Sequence, residues 1–304
     1  MQIAMLGAGG VGGYYAGVLA RAGRDVSVLA RGEHLAAIGD HGLEIREPQA
    51  EPWRASVSAY DSPTQMPDAE VAFVAVKSYS LGAIAPAAVN LAARGAVVVP
   101  LLNGVDIVER LVAAGVPQPS LLAGLTYVSA AKIGPGVIEL KSDFRRVTVG
   151  EPGGGSSTRA EHVAAAFADT PVDARATTDI QVELWRKFVF IAAISAACGL
   201  ARAPIGPVRD APGGRLLLER AVREVVAVAA ARGVVLPDGE ADQVIQRLDG
   251  LAAGLSPSFL LDVQAGGPTE LDILSGAVSR LGAESGVPTP VHDTATSALA
   301  AALA

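Results

Sequence analysis

Ile3-Ala4-Met5-Leu6-Gly7-Ala8-Gly9-Gly10-Val11-Gly12 is the stretch that decides the fold. Its apolar start reads as a buried strand, and the glycine-rich turn opens a helical pattern over Tyr14 to Ala22. A GxGxxG pattern is weak on its own; set between a strand and a helix it is a dinucleotide-binding fingerprint. Gly7 permits the tight turn, Gly9 lets backbone N–H groups approach a pyrophosphate, and Gly12 lets the helix pack closely on the strand. Gly10 and Val11 complete the turn at the positive helix N-terminus, which faces the phosphates. The rival reading is a glycine-rich turn that has lost its ligand.

Further along, Val26 to Leu29, Val71 to Val76 and Val97 to Val99 are short apolar runs separated by longer helical patterns. That alternation predicts an α/β, Rossmann-type doubly wound parallel sheet with helices on both faces. In NAD-binding versions the second strand ends in an acidic residue that accepts the ribose hydroxyls. Here it ends in Ala30-Arg31, so the expected cofactor is NADP, with Arg31 contacting the 2′-phosphate by a charge-assisted bond. The bland alternative is an arginine emerging into solvent. Lys77 follows the third of these strands and Asn103-Gly104 the fourth, at the carboxyl edge where open α/β sheets bind ligands. Taken singly, they read as a surface lysine and a turn.

Leu121 to Ala131, Gly136 to Leu140 and Arg145 to Val149 are further strand candidates, expected to extend the sheet or to form an antiparallel edge. Thr158 to Ala168 reads as a helix and Val172 to Arg175 as a last strand, which puts a domain boundary near Thr178. Residues 1–178 then form the dinucleotide-binding domain and residues 179–304 an all-helical substrate domain. Helical spacing runs over Asp179 to Leu200, Arg215 to Arg232, Asp238 to Leu251, Ser256 to Ala265, Thr269 to Ser285 and Thr289 to Leu303.

Bulk properties narrow the function. With 304 residues, half of them apolar and 18% charged, the chain has material for two cores and is far from the signature of disorder. A net charge of -7 argues against a nucleic-acid surface. The single cysteine, Cys198, makes no intrachain disulfide, and no signal-peptide pattern precedes the first strand, so the expected location is cytoplasmic. The most apolar run, Phe188 to Ala201, suits a buried core helix better than a membrane span, and Cys198 within it reads as a small core residue. GxSxG, HExxH and paired-cysteine motifs are absent, no metal site is expected, and His34, His41, His162 and His292 are scattered, as solvent-facing or structural histidines would be. The apolar helices fit either a closed domain core or half of a homodimer interface.

Together, the glycine motif, Arg31, Val76-Lys77, Leu102-Asn103-Gly104, Glu183-Leu184-Trp185-Arg186-Lys187, Ser258 and Thr269-Glu270-Leu271-Asp272 resemble the ketopantoate reductase (2-dehydropantoate 2-reductase) family over nearly the whole chain. The resemblance implies NADPH-dependent reduction of a small-molecule 2-oxo acid to the 2-hydroxy acid, a step of pantothenate biosynthesis. It also implies Lys187 as the general acid, Glu270 as a catalytic partner, Ser258 and Asn103 as substrate contacts, and Arg31, Lys77 and Asn103 as cofactor contacts. The chemistry is coherent: hydride addition builds negative charge on the carbonyl oxygen, which an ammonium stabilises and protonates. Read singly, Lys187 is equally a lysine snorkelling off an amphipathic helix, and Glu270 a carboxylate favouring the dipole in a first helical turn.

Four positions depart from the resemblance. Where ketopantoate reducers are expected to carry substrate-binding asparagines, this chain has Ile191, Ser195, Ile205 and Leu255. Ile191 and Ser195 follow Lys187 at helical spacing, so the pocket is expected to be less polar. Reductase chemistry is therefore better supported than ketopantoate itself. The rival readings are another NADP-dependent hydroxyacid dehydrogenase, and a catalytically silent NADP-binding or redox-sensing protein that needs neither Lys187 nor Glu270.

Overall fold

In the computed structural model, which describes residues 1–303, the chain divides into two compact units. One comprises residues 1–102 and 107–180, the other residues 103–106 and 181 onward. The first unit holds strands β1 (Gln2–Leu6), β2 (Asp25–Leu29), β3 (Leu43–Arg46), β4 (Trp53–Ala55), β5 (Ser58–Tyr60), β6 (Val71–Val74), β7 (Val97–Pro100), β8 (Ala123–Tyr127), β9 (Ala130–Gly134), β10 (Val137–Leu140), β11 (Arg146–Gly150) and β12 (Asp173–Ala176). Its helices are α1 (Gly10–Arg21), α2 (Gly32–His41), α3 (Leu81–Ala93), α4 (Ile107–Ala113) and α5 (Thr158–Ala165).

The central sheet has five parallel strands in the order β5-β2-β1-β6-β7. Residues 3–6 and 71–74 are buried without alternation, because both faces of a parallel sheet are covered. The chain runs outward from β1 through β2 to β5 and returns to β6 on the other side of β1. That reversal makes the carboxyl ends of β1 and β6 the topological switch point, where such sheets bind ligands.

From Leu121 the chain adjoins the central sheet only by an isolated parallel bridge to Val98 of β7, where the Leu122 N–H donates to the Val98 carbonyl at 3.0 Å; the strands themselves form two further sheets. Strands β8, β11 and β12 make a separate three-stranded sheet in the order β12-β11-β8, while β9 and β10 join β3 and β4 in a four-stranded one, β4-β3-β10-β9. The reason is a break at Val128-Ser129 that splits the expected strand into β8, paired with β11, and β9, paired with β10. Strands β3, β4 and β5, of four, three and three residues, are too short for apolar periodicity to register. Helix α1 contacts both β1 and the four-stranded sheet, which its small residues permit. A Cβ on Gly13 would come within 2.7 Å of Ile138, and one on Gly17 within 2.9 Å of Ile45.

The second unit holds α6 (Ile180–Ala201), whose first residue closes the first unit, α7 (Ile205–Asp210), α8 (Gly214–Ala231), α9 (Glu240–Asp249), α10 (Ser258–Ala265), α11 (Ser275–Ser285) and α12 (Pro290–Leu303). No strand occurs in it among the described residues. Helix α6 is long and apolar enough to cross a membrane, yet 72% of its most apolar window is buried in the fold, as befits a core helix. Cys198 lies in that buried part, and burial pushes its thiol up to about 12, which makes it inert.

The helix expected over Thr269 to Ser285 is interrupted. A 3₁₀ turn covers Leu271–Ile273, Leu274 leaves helical geometry, and α11 starts only at Ser275. Leu271, Ile273 and Leu274 are all buried, more than one α-helical face can present in so few residues. Glu270 is therefore not in the first turn of an α-helix; it stands at the N-cap of the 3₁₀ turn.

Candidate functional site

The glycine turn is built by close approach. Gly7 has φ +106°, and a Cβ there would lie 2.5 Å from Val76 Cγ1 and 2.9 Å from the Ala75 carbonyl oxygen. The loop after β1 thus rests on the loop after β6, at the switch point. A Cβ on Gly12 would lie 1.9 Å from the Gly7 carbonyl oxygen, and one on Gly10 2.1 Å from that of Ala130, so both glycines are required by packing. Gly9 differs: a Cβ there would meet nothing within 4 Å. It caps α1 with its backbone facing open space, the arrangement a pyrophosphate needs at a helix N-terminus. Val11 is partly buried in the first turn of the same helix.

The rest of this half also fits a phosphorylated dinucleotide. Strand β2 ends at Leu29, and the next charged residue, Arg31, is exposed at the N-cap of α2. A cation rather than a carboxylate stands where the adenosine ribose is bound in this fold. Lys77 caps a 3₁₀ turn over Ser78–Ser80 just after β6 and is partly buried.

One histidine that the sequence leaves as solvent-facing or structural takes a structural place here. His34, in the first turn of α2, is buried and bridges two loops: its Nε2 lies 2.6 Å from the Ala8 carbonyl oxygen, and its Nδ1 accepts the Gly136 N–H at 2.8 Å. An Nδ1 that accepts carries no proton, so Nε2 donates to Ala8 and the ring is neutral. Burial, opposed by the bond to Ala8, holds its pKa below the ordinary histidine value. The available signal was its place three residues beyond Arg31, on a helix that begins at the cofactor edge.

In the second unit, three side chains form a polar chain. The Lys187 ammonium, from α6, donates to Asn103 Oδ1 at 2.9 Å, and Asn103 Nδ2 donates to Glu270 Oε2 at 3.3 Å. The amide thus turns its acceptor to the cation and its donor to the anion. The segment bearing Asn103 is held by Gly104, whose φ of +108° a side chain rarely adopts, and by buried Asp106, which is ion-paired with Arg280 of α11. Glu270 is only 4% exposed. Burial pulls the Lys187 ammonium down to about 8, and the Glu270 carboxylate opposes that shift. Lys187 does not snorkel: its charge ends on the partly buried Asn103 amide, with a pKa poised for proton transfer near neutrality.

The remaining candidates are more dispersed. Ile191 is partly buried one turn beyond Lys187 on α6, and Ser195 is buried a turn further on. Ser258 is exposed at the first residue of α10. Ile205 is fully buried at the start of α7, and its N–H donates to the Leu255 carbonyl at 3.0 Å, so these two positions adjoin. His292 is also fully buried, its ring between Ser275 and the Ala221 carbonyl, and burial lowers its pKa to about 4. That environment is a structural one. Among the described residues, no group of His, Cys, Asp and Glu side chains could hold a metal ion.

Comparison with known proteins gives the family and the fold. Residues 3–154 match the family described as ketopantoate reductase PanE/ApbA, and residues 179–303 match its C-terminal counterpart. The 2-dehydropantoate 2-reductase of Halobacterium salinarum is 32% identical over 97% of this chain and 96% of its own length. Among solved structures, the PanE/ApbA family ketopantoate reductase of Ralstonia eutropha JMP134 has a TM-score of 0.90 at 28% identity, covering 100% of this chain and 98% of that one. A D-mandelate dehydrogenase solved with NADH and anilino(oxo)acetate has a TM-score of 0.87 at 23% identity, covering 100% of this chain and 98% of that one, and so shares the fold.

Proposed function

The chain belongs to the ketopantoate reductase family of NADP-dependent oxidoreductases, and on that premise we propose that it reduces a 2-oxo acid more apolar than ketopantoate, with Lys187 as the general acid. The observation that carries this reading is the hydrogen-bonded chain Lys187–Asn103–Glu270. NADPH, when bound, supplies the hydride that the ketone carbon receives. Lys187 stabilises the negative charge that develops on the carbonyl oxygen and then gives that oxygen its proton. Asn103 fixes the direction of the ammonium. Glu270 keeps the lysine protonated in a site whose burial would otherwise strip its charge. A silent nucleotide-binding module would have no use for an ammonium desolvated enough to lower its pKa, since desolvating a charge is costly.

The cofactor residues divide the remaining work. Gly7, Gly9, Gly10, Val11 and Gly12 receive the pyrophosphate, Arg31 the 2′-phosphate, and Lys77 and Asn103 further polar groups of the cofactor. Ser258 contributes a hydroxyl to the substrate. The substrate preference follows from Ile191: an isoleucine on the lysine's face offers no partner to a substrate hydroxyl, which costs on the order of 1 to 3 kcal/mol for an unpaired group. The test is NADPH oxidation across branched, linear and aromatic 2-oxo acids with ketopantoate included. We expect kcat/KM for the best apolar acid to exceed that for ketopantoate roughly tenfold or more. Preference for ketopantoate would overturn the substrate assignment, and no oxidation with any 2-oxo acid would overturn the reaction.

A further inference from the structure

Beside the glycine turn lies a depression of about 420 Å³ lined by Arg31, Glu33 and His34 from α2 and its N-cap, and by Lys132, Ile133, Gly134 and Pro135 from the β9–β10 hairpin. The hairpin is tied to the cofactor turn at two points. The Ala130 carbonyl oxygen presses on Gly10 so closely that a Cβ there would lie 2.1 Å away. At the other end, the Gly136 N–H is held by His34, whose opposite nitrogen bonds Ala8. Lys132 lies between these anchors, so its backbone is fixed relative to the turn although its side chain is exposed.

We propose that Lys132 is a second cation for the 2′-phosphate of NADP, acting with Arg31 across this depression. The inference rests on the reading of Arg31 as the 2′-phosphate contact and extends it. Charge supplies the argument. Glu33 shares the depression with Arg31, and His34 is neutral, so without Lys132 the walls carry no net charge. A phosphate monoester brings about -1.5 to -2. Only with Lys132 does the depression become net positive. An ammonium on a long stem suits this role, because it reaches a phosphate as a point charge while the guanidinium of Arg31 supplies the fork. Lys132 also lies close enough to act electrostatically on His34, lowering its pKa, which places its charge on this side of α2.

Equilibrium dissociation constants of NADPH and NADH, measured by fluorescence on the full chain, test the proposal with Arg31→Ala, Lys132→Gln and Lys132→Arg beside the unaltered protein. Lys132→Gln is expected to raise the NADPH constant roughly five- to tenfold and leave the NADH constant within about twofold. Lys132→Arg should restore NADPH binding, and thermal unfolding without cofactor should be the same for both variants. An NADPH constant unmoved by Lys132→Gln, or an equal loss for the two cofactors, overturns the proposal. If Arg31→Ala abolishes the preference for NADPH and Lys132→Gln does not, Lys132 alone is wrongly assigned. If neither changes the preference, the phosphate role of Arg31 falls as well.

Discussion

The two units carry their chemistry in different parts of the polypeptide. In the first, the atoms of the proposed site belong to the backbone: a Cβ on Gly7, Gly10 or Gly12 would meet other main-chain or side-chain atoms, whereas the space in front of Gly9 is open. In the second, they belong to side chains far apart in sequence, Asn103, Lys187 and Glu270, whose backbones are ordinary helix and turn apart from Gly104. A backbone site depends on local shape and tolerates little added volume. A side-chain site depends on charge and tolerates volume changes that leave its polar atoms in place.

The largest effect should come from the side-chain site. Lys187→Ala is expected to lower kcat by about a thousandfold or more while leaving the NADPH dissociation constant within about twofold. Unchanged turnover would remove the lysine from the mechanism. The backbone site should respond in the opposite sense, and within it two glycines should behave differently. Gly9→Ala adds a methyl group in open space, so unfolding should be unaffected while NADPH binding weakens on the order of tenfold or more. Gly12→Ala puts a methyl on the Gly7 carbonyl oxygen, so the apo protein itself should lose stability, by about 1 to 3 kcal/mol. Equal melting temperatures for the two variants would break the distinction.

A smaller effect concerns pH. Lys187 with a pKa of about 8 is a competent acid below that value, so reductive turnover should fall as pH rises through about 8, while oxidation of the hydroxy acid should rise over the same range. Because the Glu270 carboxylate raises the lysine pKa, Glu270→Gln should move both limbs to lower pH. The same shift affects stability. The lysine is depressed in the folded protein, so the unfolded chain binds more protons between about 8 and the ordinary lysine value, and stability from this group grows as pH rises across that window. A pH profile that Glu270→Gln leaves in place would separate the carboxylate from the lysine's titration.

The contrast also explains what was legible in the sequence. The central sheet and the glycine turn were readable because their signals are contiguous: apolar runs, then glycines at fixed spacing. The helical nature of the second unit was readable from apolar periodicity, but the break before α11 was not, because apolar spacing continues through it. The chain Lys187–Asn103–Glu270 came from family resemblance rather than from pattern, since no local rule links positions 84 and 167 residues from Asn103. Lys132 gave no signal in the sequence, and the bridging place of His34 none beyond a structural histidine, for a related reason. Their meaning depends on the β9–β10 hairpin lying beside α2, and the hairpin itself was concealed within one long apolar run.

The grouping of residues 103–106 with the helices has a practical consequence for anyone wishing to take the protein apart. A fragment cut near residue 179 would contain the lysine and the carboxylate but lack the amide between them, and the Asp106 partner of Arg280 as well. Such a half would lose the Lys187–Asn103 and Arg280–Asp106 contacts, while Arg280 would keep its ion pair with Glu284. Exchanging helical halves between relatives therefore calls for transplanting the four-residue bridge with them, since the seam in space does not follow the seam in the chain.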